Sequence, residues 1–351
     1  MAIACRILLA ALLCWVHGGA IGRGLDAEQA SQILTKEIKF SNFDDVHLGV
    51  KGECPVWVDM GSSLMSCSRL DVLYRGVYTS GLLISSEGGI NELTIYHVGH
   101  ESGGQPLSRL SDVSPKVIGK DAVWLINRIL LSHSDVLILF MPGMGFAPSG
   151  PWFSKETKQL HGMMVKHNVF SLLDFEGDSA AAYFIAHVKG FLDQYGASYK
   201  RISMLGRDGG GWVATIAAAF DHRVQCSVSV FGTLPLKLRL PVEGDERNDL
   251  GDFEQHGLLL FKKLDYLDLY ALATYPQRRH GLILNQKDDC CFSGEVKGPL
   301  MWEAFQEKYP GLTNFMWFNL PIRIMTDHMN MGKTVFAAMR KVCPAHWKGA
   351  E

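Results

Sequence analysis

Beyond residue 20, no segment of this 351-residue chain runs for the about 20 apolar residues that a bilayer core demands without meeting a charge or a breaker. Stable membrane insertion is therefore not expected. An excess of one charge is missing too: 34 Lys and Arg stand against 36 Asp and Glu, with a pI near 6.7. That balance supplies no basic stripe for nucleic acid and no acidic tail, which leaves a small-molecule substrate as the expected partner. Histidines and cysteines do not fall at zinc-ligand spacing, so no metal is expected, and no motif asks for a cofactor. Internal repeats and low-complexity segments are lacking as well, and the oligomeric state is not readable.

What is present is the composition of an ordinary globular protein, 47% hydrophobic and 20% charged. Residues 1–20 read as a secretory signal, with Arg6 as the positive start, an apolar run over 7–16 and Gly18-Gly19-Ala20 as a small-residue cleavage site. The mature protein is expected to begin near Ile21 and to be secreted or periplasmic. Cleavage removes Cys5 and Cys14 and leaves Cys54, Cys67, Cys226, Cys290, Cys291 and Cys343. In an oxidising compartment these can pair, and the spacing makes Cys54 with Cys67 the first expectation, a staple across an N-terminal loop.

After a helical stretch over 26–40, β signals begin. Residues 72–86 and 93–98 are rich in Val, Ile, Leu and Tyr and are broken by Glu87-Gly88-Gly89, which predicts two antiparallel strands. A helix over 122–131 and a buried strand over 135–141 follow, then helix 179–195, strand 201–205, helix 209–220 and strand 224–231. Residues 233–275 interrupt this alternation with charged, irregular sequence and one helix over 261–273, and are read as a lid insertion over the sheet edge. Strand 281–285, helix 301–309, strand 314–319 and helix 332–342 complete the chain. Alternating strands and helices predict an α/β fold, a mostly parallel central sheet with helices on both faces. The expected organisation is a signal (1–20), an N-terminal extension (21–71) and one domain (72–351).

The sequence Leu205-Gly206-Arg207-Asp208-Gly209-Gly210-Gly211-Trp212 joins a buried strand to a helix. A tight turn of this kind needs small residues on either side of its apex, a need that Gly206 and Gly210 meet. Asp208 is then thrust up at the carboxyl end of the sheet, with the N–H of Gly209 beside it. A plainer reading makes Asp208 a helix N-cap, for which aspartate is among the best residues. Arg207 is expected to point to solvent rather than to ion-pair with Asp208, and Trp212 to pack in the core.

Together with Ile95-Tyr96-His97-Val98-Gly99-His100-Glu101, Met141-Pro142 and the stretch over 285–294, this turn resembles the α/β-hydrolase superfamily, specifically secreted bacterial hydrolases with a Ser-Gly-Gly-Gly-Trp elbow. The resemblance covers about 93–342. It implies an oxyanion loop at Val98, Gly99 and His100, and a chain order of nucleophile, acid, histidine. In that order stand Asp208, then Asp289 with Asp288 as the alternate acid, then His328, all at the ends of strands. The departure is that Asp208 replaces the serine. Haloalkane dehalogenases and epoxide hydrolases of the superfamily use a carboxylate nucleophile. Dehalogenases, however, have Trp directly after it, where this chain has Gly209, and the lid tyrosines of epoxide hydrolases have only Tyr266, Tyr270 and Tyr275 as unplaced candidates. Two functions follow: a hydrolase using Asp208 as nucleophile or base, or a hydrolase-fold protein that has lost catalysis and serves in binding or assembly.

Overall fold

The structure is a computed structural model that describes residues 26–40, 42–58, 65–86, 91–99, 107–142, 144–146, 179–288, 292–320 and 332–347; the expected signal lies outside these. Nine strands form one sheet: β1 (Asp45–Gly52), β2 (Met65–Tyr74), β3 (Val77–Ser86), β4 (Glu92–His97), β5 (Asp135–Leu139), β6 (Arg201–Arg207), β7 (Cys226–Val230), β8 (Arg279–Asn285) and β9 (Phe315–Leu320). Their spatial order is β1-β2-β3-β5-β4-β6-β7-β8-β9. Pairings from β1 through β3 to β5 are antiparallel and all the others parallel.

Every residue of β4 and of β7 is buried, as required of parallel strands covered on both faces. The cover comes from α1 (Ala27–Glu37), α2 (Lys120–Leu131), α3 (Ala180–Tyr195), α4 (Gly209–Phe220), α5 (Tyr266–Thr274), α6 (Lys297–Lys308) and α7 (Gly332–Val342). Helix α2 buries Ala122, Leu125, Ile126, Ile129 and Leu130, a single stripe at helical spacing. Helix α4 is buried from Gly209 to Ala219, and its run of Gly and Ala lets the backbone come close to β6 and β7. Successive side chains of β4 separate the two layers: Tyr96 lines a cavity with Asp121 of α2 and Gly332 of α7, whereas His97 meets His187 of α3.

Two disulfides join Cys54 to Cys67, as the spacing predicted, and Cys226 to Cys343, which ties β7 to the end of α7. Cys290 and Cys291 lie outside the described residues. Buried Arg278 donates to the carbonyls of Ala218, Asp221, Leu272 and Tyr275, so one guanidinium satisfies the carboxyl ends of both α4 and α5.

The expected hairpin is corrected on two counts. Residues 72–86 do not form one strand but turn back at Arg75 and Gly76, whose φ values of 50° and 75° suit a two-residue primed turn between Tyr74 and Val77. The strand at 92–97 is not antiparallel to its neighbours but runs parallel between β5 and β6. The sheet also begins at Asp45, well ahead of residue 72. Within the segment expected as a lid, α5 is buried at all nine of its residues and packs on α4, inside the helical layer rather than above it.

Candidate functional site

Asp208 stands alone between the last residue of β6 and the first of α4, with φ 53° and ψ −127°. A non-glycine residue in that conformation costs roughly 1–3 kcal/mol and persists only where its surroundings over-determine it. They do so here: Asp208 N–H donates to Val230 O at 2.9 Å, and Gly211 and Trp212 N–H donate to Asp208 O at 2.8 and 3.2 Å. A β-carbon on Gly206 would collide with the carbonyl of Gly210, so the glycine pair permits the helix to fold back on its own strand. The Asp208 side chain makes no N-capping hydrogen bond, which sets aside the plainer reading of this residue as a helix cap.

The loop after β4 comes up against this carboxylate. A β-carbon on Gly99 would stand 2.6 Å from Arg207 O and 3.2 Å from Asp208 Oδ2, so only glycine lets Val98-Gly99 lie alongside the turn. Val98 N–H is held by Leu139 O at 2.9 Å. Three of the residues expected at the site, Gly99, Asp208 and Gly209, are thereby brought together, with Val98 directly behind. His100, Asp289 and His328 lie outside the described residues.

Asp288 is buried at the carboxyl end of β8, where Arg247 donates to its backbone carbonyl. Its loop closes on itself: Gly294 N–H donates to Asn285 O at 2.7 Å, Ser293 Oγ to Gln286 O at 2.6 Å and Asn319 Nδ2 to Gly294 O at 2.9 Å.

Arg207 departs from expectation. It is only 8% exposed and, with Tyr96, Asp121, Leu205, Phe231 and Gly332, lines a cavity of about 30 Å³ on the α2 and α7 side of the sheet. Alternation explains this, since Leu205 and Arg207 share the face opposite to Gly206. Trp212 is fully buried, edge-on to Phe184 at 5.1 Å, as expected of a core residue. The candidate lid tyrosines Tyr266 and Tyr270 are core residues as well. Tyr270 stacks on Phe315 at 4.9 Å and donates to Thr233 Oγ1, and Tyr266 donates to Gln255 O.

Two clusters were not anticipated. Fully buried Arg239 lies between the rings of Tyr266 (4.6 Å) and Phe292 (4.4 Å) and donates to Leu234 O and Leu250 O, both at 2.7 Å. His97 and His187, both 0% exposed, meet at 2.8 Å through their Nε2 atoms. Burial, and secondarily the neighbouring His97, drive the His187 pKa well below the usual histidine range.

Neither a protein-family model nor a curated protein matches the sequence. Solved structures do match. Methylesterase BT1017 superposes with a TM-score of 0.58 at 16% identity, over 95% of this chain and 67% of that one. Glucuronoyl esterase from Solibacter usitatus superposes with a TM-score of 0.53 at 13% identity, over 90% of this chain and 92% of that one. This chain has the α/β-hydrolase fold. On the α/β-hydrolase sheet the Asp208 turn and the Val98-Gly99 loop follow adjacent parallel strands, β6 and β4, and the Asp288 loop follows β8 on the same edge.

Proposed function

We propose that this chain is an exported hydrolase in which Asp208 occupies the nucleophile elbow of the α/β-hydrolase fold, with His328 as general base and Asp289, or its neighbour Asp288, orienting the histidine. The observation that carries this reading is the strained Asp208 apex, whose carboxylate does not cap its helix and has Gly99 packed against it. Strain retained at one polar side chain, at the carboxyl edge of a parallel sheet, points to a use for that side chain. Gly332, where α7 begins four residues after His328 in sequence, lines the same cavity as Arg207 at the end of β6.

In the reaction an oxygen of the Asp208 carboxylate attacks an electrophilic carbon of a small-molecule substrate. The leaving group departs with the bonding pair, and an ester to Asp208 forms. His328 takes a proton from water, and the hydroxide adds to the ester carbonyl. The N–H groups of Gly209, Gly99 and His100 meet the resulting oxyanion, the Val98 N–H being engaged by Leu139 O. Collapse expels the alkoxide, which takes the proton held on His328, and the Asp208 carboxylic acid so formed releases its remaining proton to solvent, regenerating the carboxylate. A buried carboxylate beside the imidazole holds its tautomer and tolerates its charge. Export is supported by the two disulfides and by the sequence of the first 20 residues.

Intact-mass spectrometry after incubation with 1-bromobutane, styrene oxide and 4-nitrophenyl acetate tests the assignment. The halide or the epoxide is expected to leave a covalent adduct that peptide mapping places on Asp208. Turnover of any probe that survives Asp208→Asn unchanged overturns it.

A further inference from the structure

We propose that His187, on α3 and 90 residues from His97 in sequence, is a positioning residue for the oxyanion loop: through His97 it fixes the peptide between Val98 and Gly99. The inference rests on the hydrolase reading above and extends it to a residue remote from the reacting groups.

His97 Nδ1 lies 2.9 Å from the carbonyl oxygen of Val98. A carbonyl only accepts, so His97 carries its proton on Nδ1 and donates it. A second proton would charge a fully buried ring, which burial opposes, so His97 Nε2 keeps a bare lone pair. The 2.8 Å contact between the two Nε2 atoms then has one reading, in which His187 Nε2–H donates and His97 Nε2 accepts. A single direction of hydrogen bonding thus runs from α3 through two imidazoles to the Val98 carbonyl.

The consequence lies at the site. The peptide unit is planar and trans, so fixing the direction of the Val98 carbonyl also fixes the opposite direction of the Gly99 N–H. Gly99 is the residue packed against Asp208. His97 also lies beneath the first turn of α4, where a β-carbon on Gly210 would come within 3.0 Å of its Nδ1. One side chain therefore touches the underside of both backbone segments whose N–H groups would face an oxyanion. The arrangement has a cost, since His187 Nδ1 is buried with no hydrogen-bond partner among the described residues. An apolar pair would fill the same space without that loss. What it would lack is the directed hydrogen bond on the Val98 carbonyl.

Wild-type protein labelled with 15N in its histidines reports the tautomers directly. The expected spectrum at neutral pH has His97 protonated at Nδ1 and His187 at Nε2, and the opposite tautomer at either ring overturns the proposal. His187→Leu keeps volume and removes the donor, whereas His187→Gln places an amide N–H near the position of Nε2. With the probe that wild type turns over, His187→Leu should lower kcat about tenfold to a hundredfold with KM within about twofold, and His187→Gln should regain most of the loss. Folded His187→Leu at wild-type kcat overturns the role. Should that variant not accumulate as folded protein, the wild-type spectrum and His187→Gln decide. Failure of the hydrolase reading is recognised separately, by turnover that persists in Asp208→Asn, and the tautomers then still decide the histidine pair.

Discussion

Gly210 rests on His97 so closely that a β-carbon there would stand 2.8 Å from the His97 carbonyl carbon and 3.0 Å from its Nδ1. Neither obstacle can move cheaply, because one belongs to the backbone of a central strand and the other to a buried, hydrogen-bonded ring. Gly210→Ala should therefore lower stability by about 3 kcal/mol or more, as forced overpacking does. At Gly76 no atom lies within 4 Å of an added β-carbon, and only the φ of 75° opposes it. Gly76→Ala should cost about 1 kcal/mol. Urea unfolding of the two variants measures the contrast, and equal losses would contradict the close approach at the elbow.

Arg239 organises the irregular part of the 233–275 segment, because its guanidinium meets carbonyls at both ends of a stretch of chain and is covered by Tyr266 and Phe292. Arg239→Met keeps much of the bulk and strands the carbonyls of Leu234 and Leu250, so a loss of about 2–4 kcal/mol is expected. Arg239→Lys should recover little, since an ammonium cannot reproduce the planar fork between two rings. Hydrogen exchange is the sharper measurement. Amides of 234–260 should open well before those of β6 and β7, whereas uniform exchange would mean that Arg239 does not hold this segment on its own.

Acid stability follows from histidines buried in the neutral form. Burial, with a smaller contribution from Arg278, pushes His280 down to about 3, and burial with His97 drives His187 well below 6.5. The unfolded chain takes up these protons near pH 6.5, the folded protein only at much lower pH. Their contribution is thus fully present above about pH 6.5 and is lost as pH falls, towards about 3 for His280, at up to about 1.4 kcal/mol per pH unit for each ring. His280→Phe keeps the stack on Tyr270 and Phe315 and removes the proton site. Between about pH 7 and pH 4 its unfolding free energy should fall less steeply than that of wild type, and parallel slopes would exclude His280 as a source.

How much of this was legible depended on the range of the interaction. Helices α4 and α7 were read at their observed limits, since local punctuation and periodicity specify them: Gly209 after the elbow for one, and the amphipathic run from Gly332 for the other. The turn at Arg75 and Gly76 was missed because Arg-Gly is a weak signal for a primed turn, although Gly76 supplies half of its requirement. The place of β4 between β5 and β6 is set by crossovers, which leave no mark in the strand itself. At the site the Asp208 turn was local and readable. Burial of Arg207 could have been inferred from its position two residues beyond Leu205 on a doubly covered strand. The bond between His97 and His187, like the Cys226 to Cys343 disulfide, joins residues far apart in sequence and exists only once the layers pack.

The last prediction separates a working carboxylate nucleophile from a retired serine site. If Asp208 attacks carbon, Asp208→Asn should abolish turnover because an amide cannot attack, while His328→Ala should still form the ester and fail to hydrolyse it. Mass spectrometry should then find the adduct accumulating in His328→Ala and missing from Asp208→Asn. If the site has lost catalysis, wild type should turn over none of the halide, epoxide and ester probes, and Asp208→Ser should restore weak hydrolysis of 4-nitrophenyl acetate. Backbone oxyanion donors alone supply about a hundred- to a thousandfold, so even an imperfectly placed serine would give a measurable rate. Asp208→Ser is expected to keep the turn, because the backbone N–H and carbonyl of residue 208 are both hydrogen-bonded, to Val230 O and from Gly211 and Trp212 N–H. Carboxylate chemistry predicts loss in Asp208→Ser, where a retired serine site predicts gain, so the sign of that one change decides between them.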